Sequence, residues 1–451
     1  MPAARPRERG RRAPPDDARE SAPPGRTRPH DPTTTMPIPH ALATLAAAAL
    51  LMHAACAATL AVHPGERIGA ALAAARPGDT VLVQHGRYEE NLRIDKPLTL
   101  RGVGRPTIDG RLAGDVIRVA APDVTISGFS IVDSGASLTA QNAGVYVAPG
   151  SDRARIERCE LVYNLFGLWI ERSADVRVTG NVIVGKRDLL SPRRGNGIQL
   201  YNTTGARIAG NTISYTRDGI YVDVSHHARF EHNTIHDVRY GTHYMNSYYN
   251  VWDGNDVYHN RGGLAIMEAR DQIVRGNRVW GNTDHGIMLR TIQDSLIENN
   301  VVAGNQRGLF IYDAEYNTIR GNLVVDNKIG VHLWGGSIHN DVTGNDFADN
   351  REQIRYVAAS DVAWPGNYWS NYLGWDRRGR GVGDVPYKAN DLVDRLTWRV
   401  PSVKVLMNSP AVQALRVVAR QFPLLAVPSV VDDAPRMRAA HAGWPQWVGK
   451  R

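Results

Sequence analysis

A chain of 451 residues is too long for one ordinary hydrophobic core, so it must divide into domains or grow by repetition. The net charge of +8 sits at the ends: residues 1–35 hold eight Arg against five acids, and residues 395–451 hold nine Lys and Arg against Asp432 and Asp433. The middle is slightly acidic, which excludes a nucleic-acid binder with a basic stripe along its length.

Residues 1–35 are rich in Pro and Arg and cannot build a core. Arg11-Arg12 has no apolar run behind it, which argues against a twin-arginine signal. From Met36, the short apolar run Leu42 to Ala55 and the small residues Ala55-Cys56-Ala57 read as a secretory signal peptide, too short to span a membrane. Residues 1–58 are therefore assigned to an N-terminal extension and signal, with Met36 as the expected start and the periplasm as the destination. His53 stands where a lipobox needs an aliphatic residue, which argues against lipidation of Cys56. Cleavage would leave Cys159 alone, with no intrachain disulfide to make.

Glu66 to Arg76 is Ala-rich and amphipathic, and is expected to form a helix that plugs the open end of a stack of strands. Beyond it the chain repeats. Asn recurs at 211, 233, 255, 277, 300, 322, 345 and 367, in steps of 22 or 23 residues, usually after Gly. A second set runs in phase with it at Asn260, Asn282, Asn305, Asn327 and Asn350. A fixed period of this length marks a stacked repeat. Asn suits turns because it tolerates left-handed backbone and bonds locally, and stacked amides can also bond from coil to coil. Cys159 falls in the same phase and reads as a turn substitute. Lys186 to Arg194 lengthens one coil, giving a 30-residue step from Asn181 to Asn211. The predicted fold is an all-β, right-handed parallel β-helix of the pectin-lyase-like kind, over residues 59–367.

Each coil has a strand that starts after a Gly: Gly219, Gly241, Gly263, Gly286, Gly308 and Gly330 among them. Side chains alternate along a strand. The first and third residues after Gly are aliphatic, as in Ile220/Val222 and Leu264/Ile266, so they face the core. The second and fourth then form an outward stripe. The least regular coil is that of Gly241, whose inward pair is Thr242 and Tyr244. On the stripe Met245 and Met267 share the fourth position of adjacent coils, Met288 takes the second position of the next, and His243 and His285 stand nearby. Coils stack about 4.8 Å apart, so three thioethers fall within roughly 10 Å. Thioether with imidazole selects Cu(I) over hard cations, and the alternative is that these Met pack or adapt to a partner surface. The metal set is thus His243, Met245, Met267, His285 and Met288. Trp169, Tyr201, Tyr221, Phe310 and Trp334 on the same stripe could stack on sugars. The carboxylates, however, are scattered singly over many coils, without the base and acid that a lyase or epimerase needs around one ring.

Tyr368 to Tyr387 is rich in Gly and aromatics and reads as a terminal cap, extended to residue 394. Asp376 to Asp384 has the outline of a calcium loop. Arg378 and Arg380 replace its acidic ligands, so the two Asp are expected to order a turn. Beyond it, Ser409-Pro410 marks a helix start, with Val412, Leu415, Val418 and Ala419 on one face. Residues 395–451 form a basic, partly helical tail, read as an arm that docks a partner or membrane and is dispensable for the fold over 395–437.

The C-terminal third is more distinctive than the repeats. Asn367-Tyr-Trp-Ser-Asn-Tyr-Leu-Gly-Trp-Asp376, Gly381-Val-Gly-Asp-Val-Pro-Tyr387, Asn390-Asp-Leu-Val-Asp-Arg395, Asn408-Ser-Pro410 and Arg420-Gln-Phe-Pro423 together resemble the NosD family of periplasmic copper-binding proteins, which serve nitrous oxide reductase maturation. Pro77-Gly-Asp-Thr-Val-Leu-Val83 and Lys96-Pro-Leu-Thr-Leu100 fit as well, so the similarity spans about 59–437. The resemblance implies a non-enzymatic protein working with an ABC transporter permease and ATPase, a copper chaperone lipoprotein and apo-nitrous oxide reductase, with Cu(I) bound transiently. It supplies no ligand motif, so the Met/His set rests on strand parity. Two other readings stay open: a carbohydrate-active β-helix enzyme, and a scaffold that holds no metal.

Overall fold

The computed structural model describes residues 57–356, 361–389, 402, 406, 409–421 and 430–449. The segment read as signal peptide lies outside these, apart from its last residues. From Thr59 the chain winds into a right-handed parallel β-helix of three sheets, each of 13 strands. The first sheet runs from Thr59–Val62 to Asp341–Thr343, the second from Leu92–Ile94 to Glu352–Tyr356, and the third from Arg87–Tyr88 to Tyr368–Trp369. Every pairing within them is parallel, and register advances by one coil.

The inward positions are those expected. Ile220, Val222, Leu264, Ile266, Ile287 and Leu289 are fully buried, and so are Thr242 and Tyr244 in the irregular coil. Tyr244 is accommodated because its hydroxyl donates to Gln272 Oε1 at 2.8 Å, satisfying a polar group inside the core. The Gly that opens each strand is there for space. A Cβ on Gly219 would come within 2.4 Å of Ile235 Cγ2 and 2.6 Å of the Gly241 carbonyl oxygen.

Both Asn columns form hydrogen-bonded ladders. The amide of Asn211 donates to Asn233 Oδ1 at 3.0 Å, and Asn233 Nδ2 donates to the Ile208 carbonyl at 2.9 Å. The pattern repeats to Asn345, whose amide donates to Asn367 Oδ1 at 2.8 Å. Cys159 enters the same ladder, its amide donating to Asn181 Oδ1 at 2.9 Å. Its thiol is buried, and burial pushes it up to about 11. The left-handed residue is the one before the ladder Asn, such as Gly210 (φ 64°) or His232 (φ 52°), and not the Asn. That corrects the expected role of Asn at these turns. Its work is the amide ladder, and each such bond contributes about 1 kcal/mol net. A third ladder of mixed residues lines another corner: the amide of Gln272 donates to Ser295 Oγ, that of Ser295 to Asn317 Oδ1 and that of Asn317 to Asn340 Oδ1.

The N-terminal end is plugged by helix α1 (Ile68–Ala74), which buries Ile68 and Leu72. It has no side-chain cap of its own. Glu90, from the first coil, accepts from the amides of Ile68 at 2.7 Å and Gly69 at 3.1 Å, supplying the partners that the first turn lacks.

At the other end residues 430–449 pack on the solenoid, so the last residues of the segment expected to be a dispensable arm, Val430 to Met437, lie against its closing coil. Val430–Asp432 pairs antiparallel with Tyr387–Ala389. Asp432, fully buried, accepts from the amides of Gly366 and Asn367 and from Trp369 Nε1. Arg436 donates to the carbonyls of Gly366 and Gly344 and to buried Asp346. Trp444 and Trp447 then cover Ala303, Leu323, Val325 and Ala348 on the outer face of the third sheet. Asp376 accepts from the amides of Arg378 and Gly381, and Asp384 from that of Arg377, so these two order a turn. Helix α2 spans Pro410–Gln421, with Ser409 Oγ accepting from the Val412 amide at 3.3 Å. Its Val417 and Val418 are exposed. The stretch Leu424 to Val431, which the sequence marks as apolar and extended, is described only from Val430.

Candidate metal centre

The candidate ligands lie on the outer face of the second sheet. Register sets His243 beside Ala265 and Ala265 beside Met288, so one column reads His243, Ala265, Met288. In the fourth-position column Asp223 pairs with Met245 and Met267 with Arg290. Tyr244 pairs with Ile266 between them, which puts Met245 and Met267 on neighbouring coils as expected. His285 stands in a different column, the residue before the strand-opening Gly. That column runs Asp218, Tyr240, Gly262 and, one coil on, His285 and Arg307.

The coil in the middle of this patch is small at two places, Gly262 and Ala265. Tyr240 and His243 flank it on one side, His285 and Met288 on the other, and Met267 belongs to the coil itself. The His285 and Tyr240 rings close over Gly262, with centroids 5.5 Å apart; a Cβ there would lie 2.6 Å from His285 Nε2. The face is less open than strand parity implied: Met267 is 9% and His285 1% exposed. Met245 Sδ accepts from the Tyr221 hydroxyl at 3.7 Å, so this sulfur already has a neighbour.

Each His is backed by a carboxylate that an Arg clamps. Asp218, buried, takes Arg239 Nε at 2.8 Å and Nη2 at 2.5 Å, and lies 3.2 Å from His243 Nδ1. Arg239 Nη2 is also 3.0 Å from that nitrogen. Nδ1 donates to the carboxylate in one tautomer, leaving Nε2 a lone pair, and accepts from Arg239 in the other. Burial works against ionisation of Asp218, but His243 and Arg239 outweigh it and hold its carboxyl below the usual range. On the far side Asp284 pairs with Arg307 and faces His285 Nδ1 at 3.8 Å, an electrostatic contact and not a hydrogen bond. His285 and then Arg307 hold Asp284 below the usual range. Burial lowers His285 despite that carboxylate, keeping it neutral, and both its ring nitrogens lack a hydrogen-bond partner among the described residues.

Buried polar atoms without partners are rare, and here two belong to an imidazole that packs on Tyr240, whose ring also meets His243. A carboxylate behind a ligating His fixes its tautomer and orientation, the usual arrangement around protein-held metals. Among the described residues no three His, Cys, Asp or Glu side chains form a metal set, so a metal on this face would draw on thioether. The column beyond Met288 continues through Phe310 to His332, a further buried imidazole without hydrogen-bond partners, lowered to about 4 by burial and then by Arg355 and Arg307.

Asp218, Tyr240, Arg239, Asp284 and Arg307 did not figure in the sequence-based site. Counting back 22 or 23 residues from His285, one residue before each Gly, would have aligned Tyr240 and Asp218 with it.

Residues 179–374, which contain all of these side chains, match the family model described as periplasmic copper-binding protein (NosD). A Stutzerimonas stutzeri protein described as a probable ABC transporter binding protein NosD is 39% identical over 372 residues, 78% of this chain and 85% of that protein. The chain belongs to the NosD family. A NosD of Pseudomonas aeruginosa with the same description is 38% identical over 371 residues, covering 78% of this chain and 87% of that one. Among solved structures, the A-module of Azotobacter vinelandii mannuronan C-5 epimerase AlgE6 superposes with a TM-score of 0.54 at 16% identity, over 66% of this chain and 94% of that one. That likeness is one of fold alone. No helix among the described residues is long and apolar enough to cross a membrane.

Proposed function

We propose that this NosD-family chain is a periplasmic, non-enzymatic carrier of Cu(I) that hands copper on for the maturation of nitrous oxide reductase. The observation that carries the reading is His285: a neutral, buried imidazole with two unpartnered nitrogens, packed on the Tyr240 ring that also meets His243, and carried by the strand that bears Met288. Copper is cargo here. Neutral imidazole and thioether bind it without losing protons or gaining charge, and both sulfur and nitrogen favour Cu(I) over the hard cations of the periplasm. His243 and His285 would supply nitrogen, Met267 and Met288 sulfur, and Met245 would join by leaving Tyr221.

The family description as copper-binding supports this reading, and so does the state of the carboxylates. Asp218 is tied to Arg239, Asp284 to Arg307, Glu352 to Arg355 and Glu171 to Tyr146. Acids held in this way are poor proton shuttles, which weighs against an epimerase or lyase. The relatives' description as ABC transporter binding proteins supports docking to a transporter permease and its ATPase. Helix α2, which exposes Val417 and Val418, is the segment we assign to that contact. A copper chaperone lipoprotein would load the site and apo-nitrous oxide reductase would receive from it.

The test is genetic and analytical. Cells lacking this chain should export nitrous oxide reductase without copper, and re-expression should restore it. Fully copper-loaded reductase from the deletion strain would overturn the delivery reading.

A further inference from the structure

The long coil at Lys186 to Arg194 breaks an otherwise steady repeat, and it builds something. Its short 3-10 turn, Ser191–Arg193, forms one wall of a cleft of about 390 Å³, lined also by Arg194, Arg217, Arg239 and Arg261. The wall is fixed in place. Arg194 Nε donates to the Leu189 carbonyl at 2.7 Å and its Nη2 to that of Arg187 at 2.9 Å. The Arg187 guanidinium lies 3.9 Å over the Tyr215 ring, and buried Lys186 donates to the Ser134 carbonyl.

Arg217, Arg239 and Arg261 occupy the same turn position in three successive coils, so their backbones stand about 4.8 Å apart. Elsewhere on the solenoid many stacked Arg are matched with acids, as Arg207 and Arg229 with Glu231, Arg275 with Asp253, Arg278 with Asp256 and Arg320 with Glu298, while Arg155 and Arg177, in the column of Arg207, make no ion pair among the described residues. In the cleft only Arg239 is matched, by Asp218. Arg217 and Arg261 make no side-chain hydrogen bond or ion pair among the described residues, and the one carboxylate in the lining, Asp237, is engaged by His236 at 2.7 Å.

We propose that this cleft is a binding site for a small divalent oxyanion of the sulfate or phosphate kind, held by Arg217 and Arg261 against the wall at Ser191. Planar guanidinium groups present paired N–H donors that fit tetrahedral oxyanions, and a partly enclosed cleft strengthens each contact. A monovalent carboxylate would meet two unbalanced cations and neutralise only one. The site does not depend on the copper reading, because neither Arg217 nor Arg261 belongs to the metal set.

Isothermal titration of the full mature chain with sulfate, with phosphate and with acetate at fixed low ionic strength tests it. Sulfate and phosphate should each bind once per chain, and acetate at least tenfold more weakly. The double variant R217Q/R261Q should lose sulfate affinity at least tenfold, and R261Q alone at least threefold. No sulfate binding at millimolar concentration, equal binding of acetate, or wild-type affinity in R261Q and the double variant would each overturn the proposal. An adventitious ion only, scattered over other Arg, would show as binding that neither variant reduces.

Discussion

Asp432 Oδ2 accepts a hydrogen bond from the Asn367 amide at 2.9 Å, the same bond that each ladder Asn carbonyl accepts from the amide one coil earlier. A residue 65 positions downstream thus supplies the last rung. The end of a β-helix exposes unpaired amides as any sheet edge does, and the chain covers them with its own carboxylate.

Replacing that carboxylate should be costly. D432A leaves the amides of Gly366 and Asn367 and Trp369 Nε1 without their acceptor in a buried site. About 3 kcal/mol of destabilisation is expected by urea denaturation. D432N keeps one amide oxygen in place, as in every other rung, and should lose less. Equal losses in the two variants would contradict the ladder account.

The tail divides into two parts with different roles. Truncation after Tyr387 removes Asp432, Arg436, Trp444 and Trp447 together and should yield an aggregating or loosely folded protein by thermal scan and gel filtration. Replacing only residues 409–421 by a flexible linker should leave the melting curve unchanged and abolish co-purification with the transporter. A linker variant that still pulls down the permease would place docking elsewhere.

The solenoid was legible because its ladders are spelled with one residue type at a fixed step. The third ladder, built from Gln272, Ser295, Asn317 and Asn340, was missed because any side chain with a carbonyl or hydroxyl serves there. Strand parity placed Met245, Met267 and Met288 on one face. It overstated the exposure of Met267 and His285, since parity says nothing of how neighbouring side chains cover a face. The acid–Arg clamps behind the two His were not visible, because Asp218 reaches His243 across 25 residues of sequence. The tail misled for a similar reason. Its basic charge reads as a free arm, yet Arg436 is spent on Asp346, which is fully buried.

D218N tests the carboxylate behind His243. Losing the charge weakens the hold on the imidazole and leaves Arg239 unpaired, so Cu(I) affinity should fall about 10- to 100-fold with the fold retained. Stability carries a pH signature. A carboxyl held below its usual range contributes stability above that range and loses it as pH falls through the depressed value. The stability gap between wild type and D218N should therefore be largest at neutral pH and close in acid. A gap that widens on acidification would contradict the assignment.

His285 makes a second pH prediction. Because burial lowers it from the ordinary value of 6.5, protons compete with copper for this nitrogen only below that value. The ratio of Cu(I) affinities between wild type and H285A should stay constant from about pH 8 to about pH 6.5 and shrink at lower pH. A ratio that is unity throughout would remove His285 from the site, and one already shrinking above neutrality would mean an unburied imidazole.

The most direct test is anaerobic Cu(I) titration of the mature protein beside the triple variant M245L/M267L/M288L. Leu conserves enough volume to spare the fold, at a cost of roughly 1 kcal/mol per site or less. The account predicts tight binding by the wild type and at least a hundredfold weaker binding by a variant with an unchanged circular dichroism spectrum. A folded triple variant that binds Cu(I) as the wild type does would contradict it.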